Sequence, residues 1–353
     1  MKTSLAAPAL SAAAALLIVA GCNGAGTQSQ LAPSNTMQTN ATHSGMNPLT
    51  HGPSPNFIGG NPKLHPAKGR SWISAKAVPD NLWYVADTFA SSIFIYSWRK
   101  LTQVGEITGL SEPYTFCVDK AQDVYIADFG LREVLEYAHG GTTPIKTLAS
   151  NGFAIACSVD PTTGNLAVVN FEGYPSGNGS VLVYTGATGT PTVYSAPNLD
   201  LYWLAGYDSS GNLFVDGEDP SGVVSLAELP AGGSSFQPIT MNVTLGFPGG
   251  VFWDGEFLDV GDQSTNTIYQ FTVSGSGATE QGSLSLTGDV DAFQFFIPKF
   301  GSGKVNPQGN RVIAADFGSG DANKFLYPAG GSPTKTITGL TNPEGVIVSK
   351  GKK

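Results

Sequence analysis

Charged residues are scarce in this chain: Asp, Glu, Lys and Arg supply 13% of 353 residues, about half the usual share. Coiled coils and long solvated helices need dense charge, so those architectures are excluded. Basic residues number 18 against 27 acids, a net charge of −9. That balance argues against nucleic acid, whose phosphates need clustered Lys and Arg. Four histidines and three cysteines leave little room for His-based metal or triad chemistry. No Gly-x-Ser-x-Gly elbow with a usable histidine occurs, because His139 falls in a hairpin turn. Gly301-Ser302-Gly303-Lys304 lacks the spacing of a phosphate loop. Glycine, by contrast, is abundant at 45 residues, with 23 prolines. Many short strands joined by tight turns, and hence an all-β fold, are the expectation.

The beginning of the chain reads as an address followed by a spacer. Lys2 precedes an apolar stretch, Leu5 to Ala20, too short and too alanine-rich for a bilayer span. It ends in Val19-Ala20-Gly21-Cys22, which resembles the lipobox of bacterial lipoproteins. The resemblance implies a signal peptide over 1–21, cleavage before Cys22, palmitate or a similar acyl chain on Cys22, and anchorage at the cell envelope. Asn23, where inner-membrane lipoproteins carry Asp, points to the outer membrane. An ordinary cleaved signal with a chance cysteine is the alternative. Residues 22–70 are rich in Asn, Thr, Ser, Gln, Gly and Pro without hydrophobic periodicity. Such a segment cannot offset its ordering entropy and is expected to be a flexible membrane tether. It takes His43, His51 and His65 out of the folded part. The remaining 71–353 holds 14 basic and 27 acidic residues, a net −13.

A short β-rich segment recurs through 71–353. Its copies include Trp83-Tyr84-Val85-Ala86-Asp87, Val124-Tyr125-Ile126-Ala127-Asp128, Leu166-Ala167-Val168-Val169-Asn170 and Val312-Ile313-Ala314-Ala315-Asp316. Two looser copies end at Gly217 and Asp262, and the end positions are spaced by 41, 42, 47, 45 and 54 residues. An apolar strand and an Asp-containing turn precede each copy, and a third strand, a Gly-rich hairpin and a short Thr-rich strand follow it. Four antiparallel strands in roughly 40–50 residues is the size of one propeller blade. A lone four-stranded sheet cannot bury both apolar faces, whereas six arranged radially can. The expected fold is a six-bladed β-propeller of four-stranded antiparallel blades. The C-terminal segment 343–349 matches the first strand of a blade with no blade after it. It is expected innermost in the first blade, closing the ring; the alternative gives that place to residues 72–78.

The units resemble NHL-type repeats, with blade two, including Arg132, the nearest copy and Gly217 a departure in blade four. The resemblance implies the fold and is poor for function. The acidic surface also departs from NHL domains that bind RNA through a basic face.

The recurring Asp87, Asp128, Asn170, Asp262 and Asp316 are read as structural, since a short acceptor at a strand end can bind backbone N–H groups of the next turn. The informative positions are those where the repeats differ. With the first strands aligned, the position that follows the strand-entry proline of Pro113-Tyr114 and Pro343-Glu344 holds Tyr114, Trp203, Phe293 and Glu344 in four of the repeats. The loops after the second strands add Phe89, Phe129, Phe171 and Glu172. Together they are expected to form an aromatic, acid-edged rim at one mouth of the channel, suited to a glycan, a small amphipathic ligand or an envelope protein. Half of these rings can equally pack between blades. A second reading places Glu112, Asp200, Asp291 and Glu344 at the axis as oxygen ligands for Ca²⁺. It resembles gluconolactonase-type propellers, but only in Glu344-Gly345. Cys117 and Cys157 stand two and three residues before Asp119 and Asp160. This opposite parity lets them meet between neighbouring blades as a disulfide, which an exported protein retains, or as two buried thiols. The expected function is a binding or interaction module, monomeric, without cofactor and without catalytic residues. The rivals are a Ca²⁺-dependent lactonase-like hydrolase and an assembly spacer.

Overall fold

The computed structural model describes residues 69–173, 177–289, 291–299 and 311–351. The signal segment, Cys22 and the tether up to 68 therefore lie outside the described residues, as does Lys304.

Among the described residues there is no α-helix, only strands and one 3-10 turn. The first sheet holds β1 (Trp72–Ile73), β2 (Leu82–Asp87), β3 (Ser92–Ser97) and β4 (Gln103–Ile107). The second holds β5 (Pro113–Val118), β6 (Val124–Asp128), β7 (Glu133–Tyr137) and β8 (Lys146–Ala149). The third holds β9 (Gly152–Val159), β10 (Leu166–Gly173), β11 (Ser180–Tyr184) and β12 (Thr192–Tyr194). Next come β13 (Leu201–Tyr207), β14 (Leu213–Glu218), β15 (Val224–Leu229) and β16 (Gln237–Met241). They are followed by β17 (Pro248–Trp253), β18 (Leu258–Asp262), β19 (Thr267–Ser274) and β20 (Gly277–Ser285). The last meander is β21 (Ala292–Phe296), β22 (Arg311–Asp316), β23 (Asp321–Leu326) and β24 (Gly330–Ile337), after which β25 (Pro343–Ser349) ends the described fold.

The first sheet runs β1–β4–β3–β2–β25 and each later meander pairs antiparallel in chain order, giving a propeller-like ring of essentially four-stranded sheets. β25 adds to the first sheet against β2, with Tyr84 opposite Ile347. The pair β1–β4 puts Trp72 and Ile73 at the outer edge of that sheet instead. The first strands are neighbours in the order β25, β5, β9, β13, β17, β21 and back to β25. They form the inner wall of the ring. Every residue of β2 and β6 is buried, because these strands are covered on both faces by adjacent sheets.

The recurrent aspartates hold the loops that lead into the inner strands. Asp128 accepts from Ser111 N at 2.8 Å and Leu131 N at 2.9 Å. Asp87 accepts from Thr341 N at 2.7 Å and Asn342 N at 3.0 Å, fixing the approach to β25. Asp262 does the same for Gly246 and Phe247, each at 3.1 Å. In the fourth meander a Cβ on Gly217 would lie 2.1 Å from the Leu201 carbonyl oxygen. No carboxylate fits there, and Asp216 accepts from Leu204 N at 2.7 Å instead.

One pairing is not visible in the repeat. The β19–β20 hairpin is long, and its tip meets the outer edge of the preceding meander, where β16 and β20 run parallel with Thr240 opposite Gly277. Two four-stranded meanders thereby join into one eight-stranded sheet, and two outer edges that could template other chains are covered.

Candidate functional site

The inner strands all lead from one end of the axis to the other, and the two ends differ. At the leading end, Tyr114 (β5), Trp203 (β13) and Phe293 (β21) come from alternate inner strands and meet. The centroids of Tyr114 and Phe293, and of Trp203 and Phe293, are each 5.9 Å apart. Phe171 and Phe247 each lie 5.0 Å from Trp203. Phe129 lies 5.3 Å from Tyr114 and stacks at 4.7 Å on Phe153. All of these rings are buried, with Trp203 only 2% exposed. The rings expected to face a ligand therefore face one another and plug the axis. Phe89 stays outside this cluster at 61% exposure, and Glu172 is half-buried beside Phe171.

The acids at this end do not assemble into an ion cage. Among the described residues, the carboxylate trio with ligand atoms within 4.8 Å of one another is Asp119, Asp123 and Glu136, not any three of Glu112, Asp200, Asp291 and Glu344. Glu136 is already paired with Lys146 at 2.8 Å. Gly345 has a steric reason for being glycine, since a Cβ there would lie 2.2 Å from the Tyr114 carbonyl oxygen. Glu344 is buried and accepts from Asn342 Nδ2 at 2.9 Å. Burial, with Asp291 and Asp87 nearby, pushes its carboxyl up to about 8. Burial alone raises Glu112 to about 7.

Glu344 makes stability fall with pH. Its folded value lies above the ordinary 4.5, so the neutral carboxyl favours the fold fully below that pH. The advantage shrinks as pH rises toward 8, because the unfolded chain has already released the proton. Buried Asp128 and Asp289, each raised to about 8, act in the same direction. Glu344→Gln keeps the site neutral and is expected to stabilise the protein at pH 8 by on the order of 1–3 kcal/mol, with little change at pH 4.5. Denaturant unfolding across that range checks this. Parallel curves for the two proteins would contradict it.

Just below the plug, Gln294 reaches along the inner wall from β21. Its Oε1 accepts from Val346 N at 3.0 Å and Phe116 N at 3.3 Å, and its Nε2 donates to the Phe116 carbonyl at 2.8 Å. It ties β21 to β25 and β5, and it satisfies inner-edge backbone groups that have no further strand to pair with.

Beyond Gln294 the axis opens into a cavity of about 490 Å³ walled by the trailing halves of the inner strands. A strand rises roughly 3.3 Å per residue, so Val118 on this wall lies about 13 Å from Tyr114 in the plug. Phe116, Tyr207, Phe252, Trp253, Phe295 and Phe296 give the wall its aromatic surface. Cys117 and Cys157 line it too, joined in a disulfide with Cα atoms 5.5 Å apart that links β5 to β9. Lys299 and Lys350 stand at its rim. Lys299 Nζ donates to the Trp253 carbonyl at 2.9 Å, and Lys350 Nζ to the Lys299 carbonyl at 3.2 Å. Burial lowers the Lys299 ammonium, Asp254 and Asp259 raise it, and Lys350 lowers it again.

Behind this rim lies a buried polar cluster. Tyr327 Oη donates to Asp254 Oδ2 at 2.7 Å, with Asp259 Oδ2 at 3.0 Å, and Gln270 Nε2 donates to Tyr327 Oη at 2.6 Å. Burial first, and Asp254 beside it second, push the Asp259 carboxyl well above the carboxylate range. Nothing in the repeat pattern pointed to these residues, because Lys299 and Lys350 each occur once and lie at strand exits rather than strand starts.

The ring of sheets around a plugged axis makes the chain a β-propeller. Three solved structures share the fold. A chain of a nidogen/laminin complex matches with a TM-score of 0.59 at 14% identity, over 77% of this chain and 100% of its own. A functionally unknown protein from Desulfotomaculum acetoxidans DSM 771 matches with 0.56 at 10% identity, over 77% and 100%. A protein of unknown function from Bacteroides caccae matches with 0.53 at 11%, over 76% and 99%. No protein-family model and no curated protein matches the sequence.

Proposed function

We propose that the protein is an exported, lipid-anchored, six-bladed propeller of NHL type that acts as a binding module, with its ligand in the axial cavity at the strand-exit face. The observation that carries this reading is the asymmetry of the axis, packed solid with aromatic rings at one end and open as an aromatic-walled cavity at the other. A cavity of about 490 Å³ falls in the usual range for small-molecule sites. The circuit of six neighbouring inner strands supports the blade number, and Val19-Ala20-Gly21-Cys22 supports the anchor. That a similar fold occurs in a nidogen/laminin complex is compatible with a recognition role.

A fragment screen by ligand-observed NMR tests the site. Val118 is half-buried on the cavity wall, so Val118→Trp should fill the cavity and lower the affinity of bound fragments about tenfold or more. Phe89→Ala at the other end should leave them unchanged. Fragments that bind the filled variant normally would place the site elsewhere.

A further inference from the structure

We propose that the axial cavity selects a small amphipathic carboxylate, with its anionic head between Lys299 and Lys350 and its apolar body along the aromatic wall. This rests on the cavity being the ligand site. The argument begins with charge. In a chain of net charge −9, the residues lining this cavity include two lysines and one acid, Asp208. That acid is occupied: its carboxylate accepts from Ser210 N at 2.8 Å, Asn212 N at 2.9 Å and Asn212 Nδ2 at 2.7 Å.

The two ammonium groups sit close together at the rim, with Lys350 Nζ donating to the carbonyl of Lys299 itself. Among the described residues, each ammonium bonds a carbonyl at the rim, and an ammonium has three donors to offer. Behind the wall, burial disfavours charge on the Asp259 carboxyl. Two lysines at one rim can both donate to the oxygens of a single carboxylate head. The wall completes the specification. Phe116, Tyr207, Phe252 and Trp253 offer ring faces and edges to an apolar body.

Three probes with one body test this on the full-length protein in detergent: 3-phenylpropionate, 3-phenylpropan-1-ol and 3-phenylpropan-1-amine. Calorimetry is expected to show the carboxylate binding about tenfold tighter than the alcohol, with the amine undetectable. In Lys299→Met/Lys350→Met the carboxylate should fall to the affinity of the alcohol, whose own affinity changes less than about twofold. Lys350→Met alone, a half-buried residue near the chain end, should lose part of the preference without risk to folding. Equal binding of acid and alcohol, or a preference that survives both variants, would overturn the charge assignment while leaving the cavity as a site that Val118→Trp still blocks. Failure of all three probes at millimolar concentration would overturn the cavity reading with it.

Discussion

Trp203→Ala is expected to cost about 3–5 kcal/mol of stability, the range for removing a large buried aromatic. The indole is 2% exposed and touches Phe171, Phe247 and Phe293, residues of three other meanders. Truncation would leave a void on the axis that rigid strands cannot close, because each inner strand is fixed in its own sheet. Trp203→Phe should cost far less, since most of the contact area stays and the buried, unpartnered Nε1 disappears. Guanidinium unfolding at fixed pH measures both. This pair also decides between a plug and a ligand-facing ring. A ring that serves a ligand would, on truncation, lose binding and keep stability.

Breaking the Cys117–Cys157 bond is the second large effect. It closes a loop with a sequence separation of 40, for which loop-closure entropy gives about 4 kcal/mol. The bridge joins consecutive inner strands, adding a covalent link to two sheets that otherwise meet through packing and hydrogen bonds such as Thr115 Oγ1 to the Ile155 carbonyl at 2.8 Å. Unfolding with and without reductant, and of Cys117→Ala/Cys157→Ala, should show a loss of about 3–4 kcal/mol. Coincident curves would mean that the two thiols are merely packed. Because both cysteines line the cavity, the reduced protein should also bind cavity fragments more weakly.

Much of the fold was legible because its signals are local. Asp128 and Asp87 recur since each caps the loop that enters the neighbouring inner strand, and such hydrogen bonds leave a short acceptor at that position in most copies. The tail 343–349 declared itself by being one strand too many. The parity of Cys117 and Cys157 followed from strand alternation alone. Other features depend on the whole ring. Tyr114, Trp203 and Phe293 stand at equivalent positions of the repeat, but that three rings from alternate strands meet on the axis is set by the closed ring. The parallel contact of β16 with β20 depends on how far a hairpin overhangs its sheet. The Tyr327–Asp254–Asp259 cluster draws on residues about 70 positions apart in the chain. Lys299 and Lys350 carry no repeat signal, since each occurs once in the ring.

The account depends most on which end of the axis receives the ligand, and a crystal soaked with 3-phenylpropionate reads that out directly. It predicts electron density in the cavity beneath Gln294, with the carboxylate within hydrogen-bonding reach of Lys299 and Lys350. Density among Tyr114, Trp203 and Phe293, or a cavity holding only water, would contradict it.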